Sequence, residues 1–380
     1  MNEFAARFPT LFETGCYSCP AGDVCPGDVS SPCGCVRRGA ARFECDSCHV
    51  LCRLRGILRG LERDEDFVRR LTEGMWFDDL AVEQRADDLE LPLLVPLRTR
   101  SMGRTDVACF SAVGFDLQDL VTNRSKRGTV SETRATTGVR LRDHVGASKG
   151  VPLLAVLNGD DDRLEGFWGM DRPAFLQSLK AQGVVAVTGP TFSVYDDEPA
   201  SHRTLMMMRH IKVLDEIGRA GLVAIPNLYW RGEYDIKAWA AWLRVNATVR
   251  FVSRDFSRTK KKAFRAQFAN LRWLLRLVGR PVHVVLVGVG AGRAVQALSQ
   301  LEKDGHSVTV ATASPIVMAR RGVRLVVEGG KMKERKDTSA DPDDLAFDNI
   351  DTFRQRLRVA SRSDAPPLFT VHRAASDFHV

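Results

Sequence analysis

The stretch Gly221-Leu222-Val223-Ala224-Ile225-Pro226-Asn227-Leu228-Tyr229-Trp230 decides the fold of this chain. Its first half reads as a short apolar strand, which ends at Pro226 because proline cannot donate to a strand ladder. A helical pattern at 201–220 precedes the stretch and another at 236–245 follows it. The strand is followed at once by three side chains that can hydrogen-bond or stack: Asn227, Tyr229 and Trp230.

From Val151 onward the same order of helix, strand and loop repeats. Apolar strands that alternate with amphipathic helices are typical of parallel sheets covered by helices. The predicted strands are 91–97, 153–157, 184–188, 222–226, 248–253, 282–287, 308–311 and 323–327. The predicted helices are 173–182, 201–220, 236–245, 261–278 and 292–303. We therefore predict an α/β fold, a TIM-like (β/α)8 barrel with either complete or imperfect closure, in preference to an open doubly wound sheet.

Eight of the nine cysteines lie between Cys16 and Cys52, among many glycines and prolines. Cys-x-x-Cys pairs place two thiolates on one tight turn, where both can face a single metal. Structural zinc and an iron–sulfur cluster are the leading alternatives, and a disulfide framework ranks below them because nothing indicates an oxidising compartment. The candidate metal ligands are Cys16, Cys19, Cys25, Cys33, Cys35, Cys45, Cys48 and Cys52.

These patterns divide the chain into four parts. We predict a cysteine-rich metal-binding module at 1–55, a helical connector at 56–90, the barrel at 91–330 with an insertion at about 99–150, and a charged loop with a C-terminal helix at 331–380. No apolar run approaches the roughly 20 residues of a membrane-spanning helix. The first residues lack the basic-then-apolar order of a signal peptide. We therefore expect a soluble, cytoplasmic protein without a membrane partner.

A formal charge of +8 at pH 7 favours an anionic partner, although such a composition also arises for unrelated reasons. The position of the charge is more informative than its sum. Three consecutive lysines begin the helix predicted at 261–278, where the helix dipole already attracts anions. This placement indicates a phosphate-bearing ligand, and a solvated helix start is the alternative.

Active sites of (β/α)8 barrels are built from the loops at the carboxyl ends of the strands. The acids that follow predicted strands are candidates for nucleophile, general base or metal ligand, with a solvated loop or an ion pair to Arg254 as the alternatives. The catalytic candidates are Asp255, Asp160 and Asp161. The candidate ligand-binding residues are Asn227, Tyr229, Trp230, Tyr195, Arg254, Lys260, Lys261, Lys262, Gly288, Gly290 and Arg293.

The glycine-rich loop at 288–293 can expose backbone N–H groups to a phosphate. Arg293 stands where a dinucleotide fingerprint has its third glycine, and the next predicted strand ends without an acid for a ribose. The loop therefore predicts either a phosphate site or a simple tight turn.

One combination of motifs consists of Phe192-Ser193-Val194-Tyr195, acids with Pro199, an Arg- and Met-rich helix, Gly221-x3-Ile225-Pro226-Asn227-x2-Trp230 and a later strand that ends at glycine. This combination resembles an uncharacterised domain family of bacterial, plasmid and phage proteins. The resemblance covers about residues 151–290, extends to the cysteine-rich leader, and implies a barrel-like domain without naming an activity. A looser likeness to tRNA-guanine transglycosylases implies base exchange as a reaction class, although their zinc ligands lie late in the chain.

Three functions are compatible with these observations. The first is a metal-containing barrel enzyme, with zinc or an iron–sulfur cluster, that acts on nucleic acid or a nucleotide by base modification, base exchange or hydrolysis. The second is a non-catalytic nucleic-acid-binding or assembly subunit of a mobile element or defence system, with a protein partner. The third is an iron–sulfur enzyme that uses the leader for redox chemistry.

Overall fold

The computed structural model describes seven stretches of the chain. These are residues 82–86, 89–98, 110–121, 141–145, 147–192, 200–230 and 232–361. The predicted cysteine module, most of the predicted connector and Tyr195 lie outside them. In the described part, no helix has the length and apolar composition needed to cross a membrane.

Parallel strands form the centre of the described part. They are β1 (Leu94–Pro96), β2 (Val113–Asp116), β3 (Leu153–Val156), β4 (Val184–Thr188), β5 (Val223–Ile225), β6 (Phe251–Asp255), β7 (His283–Val287) and β8 (Ser307–Thr312). One four-stranded sheet has the order β1-β8-β7-β6, and the other has the order β2-β3-β4-β5. All pairs within both sheets are parallel, as the sequence predicted.

Two short parallel contacts join one sheet to the other. Between β1 and β2, Leu97 bridges Gly114, and the N–H of Arg98 donates to the Gly114 carbonyl at 2.8 Å. Between β5 and β6, Asn227 bridges Ser253, whose N–H donates to the Pro226 carbonyl at 2.7 Å. Since both contacts are parallel, the carboxyl ends of the strands in the two sheets lie on the same side.

A buried glutamine adds further hydrogen bonds between β5 and β6. The amide nitrogen of Gln84 donates to the carbonyls of Ala224 (2.6 Å) and Phe251 (3.0 Å). Its amide oxygen accepts from the N–H groups of Arg250 (2.7 Å) and Phe251 (2.8 Å). One side chain thus replaces a section of strand ladder and satisfies backbone groups that would otherwise be buried without partners.

Helices follow most of the strands. The described helices are α1 (Leu117–Leu120), α2 (Leu141–Val145), α3 (Asp161–Trp168), α4 (Arg172–Ala181), α5 (Ala200–Arg219), α6 (Glu233–Val245), α7 (Lys261–Val278), α8 (Ala291–Lys303), α9 (Ser314–Arg320) and α10 (Pro342–Ala360). Local sequence explains several of the helix starts. Asp171 and Asp341 accept from backbone N–H groups of the first turns of α4 and α10, and each is followed within two residues by proline.

The apolar side chains form two clusters on opposite faces of the strands. The larger lies between the strands and the helices and includes Phe115, Leu153, Val252, Leu286 and Leu298. The smaller cluster is built mainly from alternate residues of the strands in both sheets: Val95, Leu97, Leu154, Val156, Ala186, Val223, Ile225, Phe251, Val285, Val287 and Ala311. Alternation along a strand sends successive side chains to opposite faces, so these residues share the inner face of both sheets.

One strand predicted as part of the barrel belongs elsewhere. Residues Val323–Glu328 form β9, which pairs antiparallel with β10 (Lys331–Lys336), so the segment predicted as a charged loop is a strand. The turn between them is Gly329-Gly330, both with positive φ (55° and 71°), which is the conformation of a two-residue hairpin turn. The eighth parallel strand is instead β2, which lies inside the segment predicted as an insertion.

We predict that Gln84→Met lowers the free energy of unfolding by about 3 kcal/mol, because it leaves several buried backbone groups without partners at nearly constant side-chain volume. Urea denaturation measures this change. Gln177→Met is the matched control, since Gln177 is exposed on α4, and it should leave stability nearly unchanged. Equal stability of the two variants would show that the glutamine does not join the sheets.

Candidate functional site

Polar side chains at the carboxyl ends of β3 to β6 form one hydrogen-bonded set, which we call the rim network: Asn158, Thr191, Asn227 and Asp255. The Asn158 amide nitrogen donates to Oδ2 of Asp255. The Asp255 N–H donates to Oδ1 of Asn227 at 3.1 Å, and the Asn227 amide nitrogen donates to the Thr191 hydroxyl. Four consecutive strand ends are therefore held in one geometry.

Asp255 is the only carboxylate in the rim network. It ends β6, is partly exposed, and its Oδ1 accepts from the Ser257 N–H at 2.7 Å. Both carboxylate oxygens thus have protein donors, which orients the group. Arg254, the neighbouring residue, points to the opposite face of the strand and makes no ion pair with it in the described part of the chain.

A buried histidine supports the network from below. The Asn227 N–H donates to Nε2 of His210 at 3.2 Å, so this nitrogen carries no proton. The proton is therefore on Nδ1, which donates to the Pro190 carbonyl at 2.6 Å. Burial lowers the pKa of His210 to about 4, against a weaker opposing effect of that hydrogen bond. The ring is neutral near pH 7 and acts as a fixed spacer.

Asp160 and Asp161 lie next to the rim network rather than within it. Asp160 accepts from the N–H of Arg163 at 3.0 Å and forms an ion pair with its guanidinium at 2.9 Å. It therefore closes the first turn of α3, which begins at Asp161. The side chain of Asp161 is outside the described part.

A second carboxylate, which the sequence interpretation missed, lies at the end of β2. Asp116 caps α1 and accepts from the Gln118 N–H at 3.0 Å. Because it is two residues from Gly114 on β2, its side chain lies on the same face of the strand as that glycine. Burial and the nearby Asp119 raise its pKa to about 6. A carboxyl group with a pKa in this range can exchange a proton near neutral pH.

The aromatic candidates and Arg254 are packed inside the protein. Tyr229 and Trp230 are only 4% and 5% exposed. The Arg254 guanidinium stacks on the Trp230 ring, 4.1 Å from its centroid, and donates to the Leu228 carbonyl and to Gln267. Burial lowers the pKa of Arg254 to about 10, partly offset by Asp255. These contacts brace the loop after β5, and base stacking on either ring would require that loop to move.

The basic candidates lie on the loop after β6. Lys260 and Lys262 are exposed, and α7 has neither an acidic residue in its first turn nor a side-chain cap. Exposed Arg258 adds a third cation in the same loop. The side chain of Lys261 is outside the described part. This helix start can accept an anion without displacing a protein group.

The glycine loop after β7 is constrained by its neighbours. The Gly288 N–H donates to the Ala311 carbonyl at 2.8 Å, so it is not available to a phosphate. A Cβ on Gly288 would lie 2.6 Å from the Ser257 Cα, which explains the glycine. Gly290 precedes α8 without a side-chain cap, and Arg293 lies over the Phe264 ring at 5.0 Å. Arg293 therefore lies beside the first turn of α7, next to the basic loop.

The cysteine ligands and Tyr195 fall outside the described residues. Within those residues, no group of three or more His, Cys, Asp or Glu side chains is placed to hold a metal ion. No protein-family model matches the chain, and the curated proteins contain no significant match to it.

Of the two residues that the sequence interpretation missed, Asp116 had a signal in the sequence and His210 had none. Asp116 follows Val113-Gly114-Phe115, an apolar run that ends at an acid in the same way as β6. His210 lies on the buried stripe of α5, where a lone histidine is ordinarily a core residue, and only its contact with Asn227 links it to the site.

We predict that His210 makes the protein less stable in acid. Its folded-state pKa of about 4 is below the unfolded value of 6.5, so its contribution is complete above pH 6.5 and is lost as pH falls toward 4. His210→Gln keeps an acceptor for Asn227 and removes the titration. Urea denaturation should show the stability gap between wild type and variant narrowing by about 2 kcal/mol between pH 7.5 and pH 5. A gap that does not change with pH would contradict a neutral buried imidazole.

Proposed function

We propose that β1 to β8 form a closed (β/α)8 barrel. Both sheets are parallel, and the bridges at Leu97–Gly114 and Asn227–Ser253 supply the two contacts that a ring of strands requires. The inner apolar cluster, which combines side chains from both sheets, matches the filled interior of such a barrel.

We further propose that the protein acts on a nucleic acid or a nucleotide at the carboxyl ends of these strands. The observation that carries this proposal is Asp255, a partly exposed carboxylate oriented by Asn158 and the Ser257 N–H beside an exposed cationic helix start. A positioned carboxylate next to a phosphate-binding surface suits general acid–base or nucleophilic chemistry on a phosphate-bearing substrate.

Each group then has a separate role. Asp255 acts on the reacting atoms, and Asp116, with its raised pKa, is the second proton-transferring carboxylate. Lys260, Lys262 and Arg293 bind the phosphate. The amide oxygen of Asn227 positions Asp255 by accepting from the Asp255 N–H. Base modification or exchange remains the reaction class that the looser resemblance implies.

The cysteine module belongs to the same proposal. Eight cysteines with two Cys-x-x-Cys pairs suit structural zinc first and an iron–sulfur cluster second. Metal analysis and a visible spectrum of the full chain distinguish these, and a brown protein would favour the iron–sulfur enzyme.

A non-catalytic nucleic-acid-binding or assembly subunit is the second candidate. It is favoured by the hydrogen bonding of Asp255, both of whose carboxylate oxygens already accept from protein donors. A carboxylate with a purely structural role is expected to have both oxygens hydrogen-bonded in this way.

The central test is Asp255→Asn, assayed for product formation by mass spectrometry on a panel of nucleotides, single-stranded DNA and single-stranded RNA. Rotation of the Asn158 amide allows the new side chain to keep its hydrogen bonds, so folding should survive while the charge is lost. We expect turnover to fall at least about a hundredfold.

Asp160→Asn is the matched control, because it makes the same chemical change in a carboxylate that caps α3. Equal turnover in wild type and Asp255→Asn would contradict the catalytic role. Binding of the panel without any product, abolished by Lys260→Ala, would establish the non-catalytic candidate instead.

A further inference from the structure

The hairpin of β9 and β10, which we call the basic ribbon, presents a charged face away from the strands of the two parallel sheets. In an antiparallel pair, directly opposite residues share a face. The register places Lys331, Lys333 and Arg335 on the same face as Glu328. All three cations are exposed. This segment was not part of the site described above.

The opposite face of the ribbon anchors it to the protein. Leu325 is buried, and Met332 packs against the main apolar cluster. The outer edge of β9 is held by Asn349 of α10, whose Oδ1 accepts from the Leu325 N–H at 2.6 Å and whose amide nitrogen donates to the Val323 carbonyl at 2.8 Å. The ribbon is therefore a fixed platform, and the cations of its charged face are exposed.

The charges on that face are poorly balanced. Glu328 pairs with both Lys333 (3.1 Å) and Arg335, which lowers its pKa. Lys331 has no ion pair in the described part of the chain. Arg324, opposite Arg335, belongs to the same face and pairs with Asp337 and Asp348. Four cations thus meet three carboxylates, and the excess positive charge lies in the row of Lys331, Lys333 and Arg335.

The spacing of this row fits a regular polyanion. Alternate residues of a strand are about 6.8 Å apart, which is about twice the 3.4 Å rise between successive phosphates of one DNA strand. The major groove of B-form DNA, about 12 Å wide, admits a two-stranded ribbon. The major groove of A-form RNA is too narrow for side chains to read. A membrane-binding face would need several exposed apolar residues, whereas the face that carries Lys331, Lys333 and Arg335 has one apolar residue, the partly buried Val326.

We propose that the basic ribbon is a docking site for the sugar–phosphate backbone of double-stranded B-form DNA. The phosphates are contacted by Lys331, Lys333 and Arg335. Glu328 holds Lys333 and Arg335 in position, while its negative charge weakens the attraction of the ribbon for DNA. This inference does not depend on catalysis at Asp255, because the ribbon and the rim network share no residue.

The test uses the full chain, a fluorescent DNA duplex of mixed sequence, and anisotropy titrations over a series of salt concentrations. The double variant Lys331→Gln/Lys333→Gln should bind roughly tenfold or more weakly at physiological salt. The slope of log Kobs against log salt should fall by about 1.8, since each lost phosphate contact removes about 0.9. Loss should be uniform across duplex sequences, because phosphate contacts carry no base information.

Two matched variants make the result decisive. Lys149→Gln/Lys180→Gln removes the same charge from exposed lysines of the second sheet's loops and helices and should change neither affinity nor slope. Glu328→Gln removes the carboxylate from the charged face and should tighten binding. Thermal unfolding should be unchanged in all three, because the altered side chains lie at the surface.

Several results would overturn the proposal. These are no duplex binding by the wild-type chain at low salt, equal losses in the ribbon and control variants, or weaker binding by Glu328→Gln. Ribbon-dependent binding to phosphatidylserine vesicles or single-stranded RNA, with none to the duplex, would reject DNA as the occupant. Failure of the barrel-end function is recognised separately, since Asp255→Asn should leave duplex binding intact.

Discussion

The junction between β5 and β6 is the constraint on which the rest of the structure depends. Two parallel sheets meet there through few backbone hydrogen bonds, so side chains complete the contact. Gln84 joins the lower part by bonding Ala224 and both backbone groups of Phe251, and the Asn227 amide oxygen joins the upper part by accepting from the Asp255 N–H. Buried polar groups of this kind are stabilising only when each is satisfied, and here each is.

This constraint links the fold to the candidate site. Asn227 bridges Ser253 across the junction and also accepts from the Asp255 N–H, so one side chain both joins the two sheets and orients the carboxylate. His210 accepts from the Asn227 N–H through its unprotonated Nε2 and so holds the Asn227 backbone in place. Because burial lowers its pKa to about 4, the imidazole is neutral near pH 7. A site assembled in this way is rigid, which favours pre-organised chemistry or binding.

Much of the fold could be predicted from local pattern. The strands at 184–188 and 282–287 and the helix at 261–278 are strongly apolar or strongly amphipathic, and the structure has them within one residue of the predicted bounds. The sheet to which the strand at 323–328 belongs could not be predicted in the same way, because the apolar pattern of a strand does not show which other strand it pairs with. The pair Gly329-Gly330 was the available hairpin signal, and it was overlooked.

The candidate site was predictable only in part. Asn227 and Asp255 follow strands directly, so their convergence could be expected from the rule that carboxyl ends of parallel strands meet. The burial of Trp230 beneath Arg254 depends on packing between distant segments and has no local signature. The same holds for Asp116, whose raised pKa comes from its surroundings, and for the contact between His210 and Asn227.

Hydrogen–deuterium exchange of the full chain, with and without a single-stranded oligonucleotide of mixed sequence, tests the central claim most directly. If the carboxyl ends of the strands bind a phosphate-bearing ligand, exchange should slow in the loops at 157–160, 226–230, 255–262 and 288–293, which belong to separate elements but share one side of the protein. Slowed exchange confined to 323–336, or absent from all four loops while the oligonucleotide is bound, would contradict it.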